Sequence, residues 1–437
     1  MFRDALKTLE EWKASSHRKP MIIEGARQVG KTWLMQEFGR RNYAEVVYVN
    51  FDGNEAMREL FSHGYDIERL ILGIELHSGK RVKAQNTLLI FDEIQEVPQA
   101  LTSLKYFAEN APEYQIVCAG SLLGIALHKG TSYPVGKVHH MKLYPLSFLE
   151  FLSATGRERF AELLQSGDFE MVTSFKGVYI DALKQYYFVG GMPEVVASFA
   201  EHKDFNEARE IQKRILSGYE QDFSKHAPNA IVPRIRMVWN SIPSQLAKEN
   251  KKFVYGTLRG GARAKDFEEA IMWLVDAGLV HKVPRVNSGN YPPSAYEDLK
   301  AFKLFLNDVG LLCCMSALSP QVLPNGDRAF TEFKGAITEQ YALLQLLYSK
   351  NEKLWYYTND RGSCEIDLIA GTDLGTVPIE VKAETNLQAK TLKTYCEKYN
   401  PRLSVKISML DYKREDKTVN LPLYATGKLY DVITASC

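Results

Sequence analysis

One stretch, Gly25–Thr32, constrains this chain more than any other. It matches G-x-x-x-x-G-K-S/T, the phosphate-binding loop. The short apolar run Met21–Glu24 predicts a buried strand before the loop, and the residues from Trp33 to Phe38 predict a helix after it. Loop amides and the helix N-terminus offer partial positive charge to a phosphate chain. The order strand, glycine loop, helix therefore favours ATP or GTP binding over a chance match.

The loop supplies the predicted ligand-binding residues, which are Gly25, Ala26, Arg27, Gln28, Val29, Gly30, Lys31 and Thr32. We expect Lys31 to reach the β- and γ-phosphates and Thr32 to hold Mg²⁺ through its hydroxyl. Downstream, the apolar run Leu88–Phe91 ends in Asp92 and Glu93. Such a run is typical of a strand buried in a parallel sheet, which places both carboxylates at its C-terminal end. We expect Asp92 to join the Mg²⁺ shell and Glu93 to orient or activate the attacking water.

A further buried-type strand, Tyr114–Ser121, ends in a glycine and a serine. A polar residue at the end of the strand next to Asp92 can sense the γ-phosphate, and Ser121 is the candidate for that role. A plain turn residue is the equal alternative.

Length and composition narrow the class of protein, but they say little about which reaction it catalyses. With 437 residues the chain has room for two or three domains, and its net charge of +1 gives no global field that would point to nucleic acid. No apolar run approaches membrane-spanning length, and the N-terminus lacks the apolar region of a signal peptide. The six cysteines show no metal-ligand spacing. A reduced, cytoplasmic protein without a membrane partner is the simplest expectation.

Together these motifs resemble the AAA+ superfamily of P-loop ATPases, and more closely a prokaryotic family of predicted ATPases that carries a C-terminal domain of unknown function. The stretches that carry the resemblance are Glu24–Thr32, Phe91–Gln95, Ala119–Ser121, Leu143–Phe151 and Gly190–Glu194. The resemblance covers nearly the whole chain. It implies ATP as the ligand and Mg²⁺ as the cofactor, and it leaves monomer and oligomer both open.

One departure from that family concerns Gly136 and Lys137, where such proteins usually carry Gly-Arg. Lysine keeps the charge but cannot form a planar bidentate fork on a phosphate. If this position senses nucleotide, hydrolysis is expected to be slow. The sequence identifies no arginine finger, although Arg58, Arg157 and Arg159 lie near the motifs.

Residues 231–290 predict a helix, a second helix, a glycine, a strand and a polar loop, an order that resembles a winged helix-turn-helix. Basic side chains are concentrated in this segment, namely Lys248, Lys251, Lys252, Arg259, Arg263 and Lys265. Such a patch could follow a DNA backbone. A rigid lid with a solvated basic face is an equally open alternative.

A second constellation lies near the C-terminus. Three strand-like runs follow one another, and the last two are joined by a polar turn that predicts a hairpin. The alternation of the last strand places Glu380 and Lys382 on one face, which Asp367 can join from the neighbouring strand. Glu339 precedes them on a predicted helix.

This arrangement resembles the PD-(D/E)XK nuclease fold. The resemblance implies that Asp367 and Glu380 ligate Mg²⁺, that Lys382 positions a water or offsets charge, and that Glu339 completes the metal shell. The alternative to a nuclease-like site is an ordinary solvated sheet face, because charged residues are frequent on strand faces. Folds of this class also often keep binding without cleavage.

The sequence therefore predicts an α/β protein in four parts. They are a P-loop parallel-sheet ATPase domain (1–155), a helical lid or connector (156–230), a winged-helix-like module (231–290) and a nuclease-like α/β domain (291–437). The first functional hypothesis is Mg²⁺-dependent ATP hydrolysis coupled to a DNA-directed C-terminal domain. The alternative is a slow nucleotide-dependent switch or scaffold, whose catalytically inactive C-terminal domain binds a partner, such as another protein, without cutting. A kinase is weaker, because Asp92 and Glu93 suit water activation better.

Overall fold

Apolar runs that are buried on both faces form a five-stranded parallel sheet in the order β2-β3-β4-β1-β5. Its strands are β1 (Met21–Glu24), β2 (Glu45–Asn50), β3 (Thr87–Asp92), β4 (Gln115–Ala119) and β5 (His139–Lys142). The four residues from Leu88 to Phe91 are fully buried, as expected for a strand covered by helices on both sides. The predicted strands at Met21–Glu24 and before Asp92 are thus confirmed.

The computed structural model describes residues 3–120, 134–248, 251–319, 328–359, 362–383 and 390–436. The chain divides into two units, Phe2–Tyr144 with Asp276–Gly278, and Pro145–Val275 with Leu279–Cys437. Helices of the first unit are α1 (Ala5–Ala14), α2 (Lys31–Asn42), α3 (Glu55–Ser62), α4 (Ile67–Ser78) and α5 (Pro98–Asn110). A 3-10 turn, Ile94–Glu96, separates β3 from α5.

The second unit begins with a helical half. Its helices are α6 (Phe148–Ala154), α7 (Glu158–Ser166), α8 (Phe169–Ser174), α9 (Lys176–Val189), α10 (Pro193–His202), α11 (Phe205–His226), α12 (Val232–Leu246) and α13 (Ala264–Asp276). Gly190 and Gly191 lie in the tight connection between α9 and α10. Ser147 and Glu150 form a reciprocal capping box that starts α6.

An eight-stranded sheet in the order β12-β13-β11-β10-β9-β8-β6-β7 organises the rest of the second unit. Its strands are β6 (Val280–Val286), β7 (Glu297–Leu306), β8 (Leu354–Thr358), β9 (Glu365–Thr372), β10 (Gly375–Val381), β11 (Ser404–Ser408), β12 (Lys413–Glu415) and β13 (Thr418–Pro422). The accompanying helices are α14 (Val309–Met315), α15 (Arg328–Lys350), α16 (Lys390–Tyr399) and α17 (Leu429–Thr434). The predicted hairpin is β9–β10, which pairs antiparallel through Ile379 and Leu368.

The fold class is therefore α/β, with a P-loop parallel sheet, a helical middle and a C-terminal α/β sheet. The boundary predicted at residue 290 falls between β6 and β7, which are antiparallel neighbours in one sheet. The four-part division remains a prediction. Within the described residues, no helix has the length and apolar character needed to span a membrane.

Candidate functional site

The loop between β1 and α2 wraps closely against the segment that follows β5. Leu143 N donates to Glu24 O at 2.8 Å, which brings the backbone of residue 143 against the start of the loop. A β-carbon on Gly25 would overlap the carbonyl oxygen of Leu143, and the φ of Gly25 is 149°. Only glycine fits this position without moving backbone. Gly30, with φ of 93°, directly precedes α2.

Lys31 is buried within this loop. Its Nζ donates to Gly25 O at 2.8 Å and to Ala26 O at 2.7 Å. Burial lowers the pKa of the Lys31 ammonium to about 8, and the nearby carboxylates of Glu93 and Asp92 oppose that shift. The Lys31 ammonium is therefore hydrogen-bonded to carbonyl oxygens of the loop, and a bound phosphate can replace these oxygens as its acceptor.

Thr32 and Asp92 meet where the carboxyl end of β3 faces the start of α2. Thr32 Oγ1 donates to Asp92 Oδ2 at 2.6 Å, and Tyr48 on β2 donates its hydroxyl to the same oxygen at 2.9 Å. Asp92 Oδ1 accepts from the Glu93 amide at 3.1 Å. The structure thus brings the two predicted Mg²⁺ ligands together. Tyr48 was not predicted, because nothing in the sequence distinguishes it from any aromatic residue on a strand.

Glu93 lies directly after β3 in a left-handed backbone conformation, with φ of 50°. Gln95 Nε2 donates to Glu93 Oε2 at 2.7 Å, which fixes the direction of this carboxylate. Gln95 is a second residue that sequence reasoning missed, although it stands in the stretch that carries the family resemblance. Ser121, the candidate phosphate sensor, lies outside the described residues.

A buried arginine supports the loop from the N-terminus of the chain. Arg3 is only 3 % exposed, and its guanidinium donates to Val29 O at 3.0 Å and to Tyr144 O at 2.6 Å. It ties the loop to the segment after β5, and no sequence motif marks it. Arg27 and Gln28 complete the loop, the latter with φ of 66°.

Three of the four cations considered for a trans-acting role have partners within their own units, whereas Arg159 is exposed. Lys137 pairs with Glu109 at 2.9 Å, so its ammonium is directed to α5. Arg58 lies 3.6 Å from Glu55. Arg157 donates to Thr155 Oγ1 and to Gln185 Oε1.

The C-terminal residues also converge. Glu380 and Asp367 lie one step beyond the last paired residues of the β9–β10 ladder, on neighbouring strands. Asp367 Oδ2 accepts from Val381 N at 2.8 Å, and Lys382 Nζ lies 2.6 Å from Glu380 Oε1. Glu339 and Glu380 are 2 % and 3 % exposed. The alternative of a solvated sheet face is therefore wrong for Glu380, the one of the two that lies on a strand.

Two lysines that the sequence did not place here occupy the centre of this cluster. Lys303 on β7 is fully buried, and its Nζ lies 2.8 Å from Glu339 Oε1 and 2.7 Å from Glu365 Oε1. Lys251 pairs with Glu339 Oε2. The inclusion of Lys251 in a DNA-facing patch is therefore wrong, because its side chain is only 16 % exposed and its ammonium is directed to a buried carboxylate.

The carboxylates of the cluster differ in pKa because their charged neighbours differ. Burial would raise the pKa of Glu339, but Lys251 and Lys303 outweigh burial and lower it to about 2. Burial, together with the negative charges of Glu339 and Glu380, raises the pKa of Asp367 to about 7. Glu380 Oε2 is buried and meets no hydrogen-bond donor among the described residues.

The two sites differ in how well they fit a divalent cation. In the first, the Asp92 carboxylate and the Thr32 hydroxyl lie together, and both offer the hard oxygen atoms that Mg²⁺ prefers as ligands. In the second, each oxygen of Glu339 already holds an ammonium. Over the described parts of the chain, no group of three or more His, Cys, Asp and Glu side chains is arranged to hold a metal. The predicted shell of Glu339, Asp367 and Glu380 thus does not fit a metal.

The remaining basic residues of the predicted DNA-facing patch are mostly accessible. Arg259, Arg263 and Lys265 are exposed, and Lys248 donates to Thr257 Oγ1 at 2.7 Å. Arg259 lies 3.9 Å from Asp266, so part of its charge is locally balanced. This geometry is compatible with either a nucleic-acid surface or a solvated face.

Comparison with known families supports the assignment of the first unit. The AAA domain family matches residues 17–152. Two domains of unknown function, DUF8612 and DUF4143, match residues 180–322 and 334–425. No curated protein matches the chain. The AAA match argues against a chance P-loop and supports a P-loop ATPase domain of the AAA+ type.

Solved structures give only distant similarity. The Walker-type ATPase PABY2304 of Pyrococcus abyssi is 14 % identical, with a TM-score of 0.45, over 72 % of this chain and 95 % of that one. The Aeropyrum pernix ORC1 protein in complex with DNA is 15 % identical, with a TM-score of 0.30, over 72 % and 91 %. The Thermotoga maritima RuvB Holliday junction branch migration motor is 14 % identical, with a TM-score of 0.28, over 65 % and 90 %. These similarities are too distant to carry a functional argument.

Proposed function

We propose that this protein binds ATP with Mg²⁺ at Gly25–Thr32 and hydrolyses it with the help of Asp92 and Glu93. The observation that carries the proposal is the 2.6 Å contact between Thr32 Oγ1 and Asp92 Oδ2, beside the buried ammonium of Lys31. A phosphate-binding loop and a strand-end carboxylate are the two parts that nucleotide hydrolysis requires.

Each residue has a distinct task in this mechanism. Lys31 moves its ammonium from the carbonyls of the loop to the β- and γ-phosphates. Thr32 and Asp92 would hold Mg²⁺, which when bound offsets the charge of the phosphates. Glu93, oriented by Gln95, accepts a hydrogen bond from the attacking water and directs it at the γ-phosphate.

The test compares ATP and GTP turnover by the full chain with turnover by Lys31→Ala. We expect Lys31→Ala to lower turnover by about 10² to 10³, as for removal of a donor from a preorganised site. Lys83→Ala is the matched control, because this lysine is exposed and lies in the same unit. Unchanged turnover in Lys31→Ala would refute the P-loop assignment.

For the second unit we propose that it binds a partner without cleaving it, with DNA as the first candidate. The ion pairs of Glu339 favour this over a nuclease, because the carboxylate that would complete a metal shell already has two cations. The exposed cations Arg259, Arg263 and Lys265 support contact with a phosphate backbone.

The corresponding assay incubates labelled linear, single-stranded and branched DNA with the protein, in Mg²⁺ or Mn²⁺, with and without ATP. We expect retention of DNA that weakens steeply with salt, and no cleavage. Cleavage that disappears in Lys382→Ala would overturn the binding-only proposal and make the cluster a nuclease site. If neither DNA retention nor cleavage is seen, while ATP turnover is intact, a protein partner becomes the favoured candidate.

A further inference from the structure

The buried lysine at the centre of the C-terminal cluster needs its own explanation. Lys303 stands in a strand whose neighbouring residues are apolar and buried, and its side chain is fully buried. An ammonium in such a place is costly unless it is paired and hydrogen-bonded. The contacts of Lys303 meet that condition, since two carboxylates lie within 2.8 Å of Nζ and the ring of Tyr356 lies 4.7 Å from it.

The charges of the cluster nearly balance without any added ion. Four carboxylates take part, those of Glu339, Glu365, Asp367 and Glu380. Three ammonium groups face them, those of Lys251, Lys303 and Lys382. A divalent cation at Glu339 would have to displace Lys251 or Lys303. Displacing Lys303 from Glu339 would leave its fully buried ammonium with Glu365 alone of its two carboxylate partners, and breaking a buried pair in this way is destabilising.

We propose that the ammonium of Lys303 is the resident cation of this cluster, a tethered positive charge that takes the place of a divalent metal ion at Glu339. The second unit consequently neither binds a divalent cation at Glu339 nor needs one to fold. Removing the ammonium turns the same carboxylates into a metal-binding site. This inference goes beyond the proposed function and does not depend on ATP turnover or on DNA binding.

The experiment uses the full chain without nucleotide, after treatment with a chelator, in five forms. They are the wild type, Lys303→Met, Lys300→Met, Glu339→Gln and the double variant Lys303→Met with Glu339→Gln. Lys300 is the matched control, because it lies on the same strand but is exposed. Two properties are measured, the unfolding temperature with and without Mn²⁺ or Ca²⁺, and the sensitised emission of Tb³⁺, for which Tyr356 is a nearby donor.

We expect Lys303→Met to unfold at a lower temperature than the wild type in chelator and to recover when Mn²⁺ or Ca²⁺ is added. Its affinity for Mn²⁺ should exceed that of the wild type by about tenfold or more, and sensitised Tb³⁺ emission should appear. The double variant should respond no more than the wild type, because the Glu339 charge that attracts the metal to this cluster is gone. Wild type and Lys300→Met should behave alike and show no metal response at this cluster.

Two results would overturn the proposal. One is wild-type Tb³⁺ emission and metal stabilisation that disappear in Glu339→Gln, which would show that Glu339 binds metal in the presence of Lys303. The other is a folded Lys303→Met protein that is indifferent to metal. If Lys303→Met does not fold with or without metal, the wild-type titration against Glu339→Gln decides.

Discussion

The turn between α9 and α10 offers a sharp test of how the second unit is held together. Leu146 N donates to Gly191 O at 2.6 Å, and Gly191 N donates to Asp308 Oδ2 at 2.6 Å. A β-carbon on Gly191 would overlap the carbonyl oxygen of Leu146 and lie 2.8 Å from its nitrogen. These obstructing atoms all belong to backbone, so Gly191→Ala cannot be accommodated by a side-chain rotation.

The cost follows from the contacts that must open to relieve the overlap. Loss of the bond between Leu146 and Gly191 costs about 1 kcal/mol, and loss of the bond to the fully buried Asp308 carboxylate costs about 1.5–3 kcal/mol. Gly191→Ala should therefore lower the free energy of unfolding of this unit by about 2.5–4 kcal/mol.

The assay is urea unfolding of the full chain followed by tryptophan fluorescence, since Trp239, Trp273 and Trp355 all lie in the same unit as Gly191. Gly218→Ala is the matched control. Gly218 lies inside α11, and a β-carbon added there would have no atom within 4 Å beyond its chain neighbours and the backbone of its own helix. Alanine at this position should therefore stabilise the helix by about 0.5–1 kcal/mol. A loss below about 1 kcal/mol in Gly191→Ala would refute the reasoning, since one backbone bond alone accounts for that much.

Two further predictions concern single polar groups. Burial raises the pKa of Asp308 to about 6, so its contribution to stability is present below the unfolded pKa and is lost as pH rises through 6. The stability of the wild type relative to Asp308→Asn should therefore fall by about 1.3 kcal/mol between pH 5 and pH 7, and a flat difference by urea unfolding would contradict this. Tyr48→Phe should raise the Mg²⁺ concentration for half-maximal ATP turnover by about tenfold, because Asp92 loses an orienting hydroxyl. An unchanged Mg²⁺ titration at saturating ATP would exclude that role.

The sequence predicted the first unit closely because its signals are local. The strand Met21–Glu24 and the strand before Asp92 are continuous apolar runs, and the phosphate-binding loop is a contiguous motif. The contacts that support the loop were missed because they are not local. Arg3 reaches Tyr144 across 141 residues of sequence, and Tyr48 reaches Asp92 across 44.

The C-terminal cluster divides in the same way. Alternation along β10 correctly placed Glu380 beside Lys382, since residues two apart share a face of a strand. The partners of Glu339 come from 36 and 88 residues away, so no spacing rule could assign them. One signal was present, because Lys303 interrupts the apolar run Ala301–Leu306. A charged residue in a buried strand requires a partner of opposite charge.

The two carboxylate sites are best distinguished by the kind of donor that each carboxylate faces. Asp92 accepts from two neutral hydroxyls, which orient its oxygen without cancelling its charge. Glu339 accepts from two ammonium groups, which cancel its charge. A divalent cation is therefore attracted to the Asp92 carboxylate without having to displace another charge. The hydroxyls can also rotate so that an oxygen lone pair faces the metal. At Glu339 the same cation must first expel a buried positive charge, so carboxylates of equal chemistry are expected to differ in function.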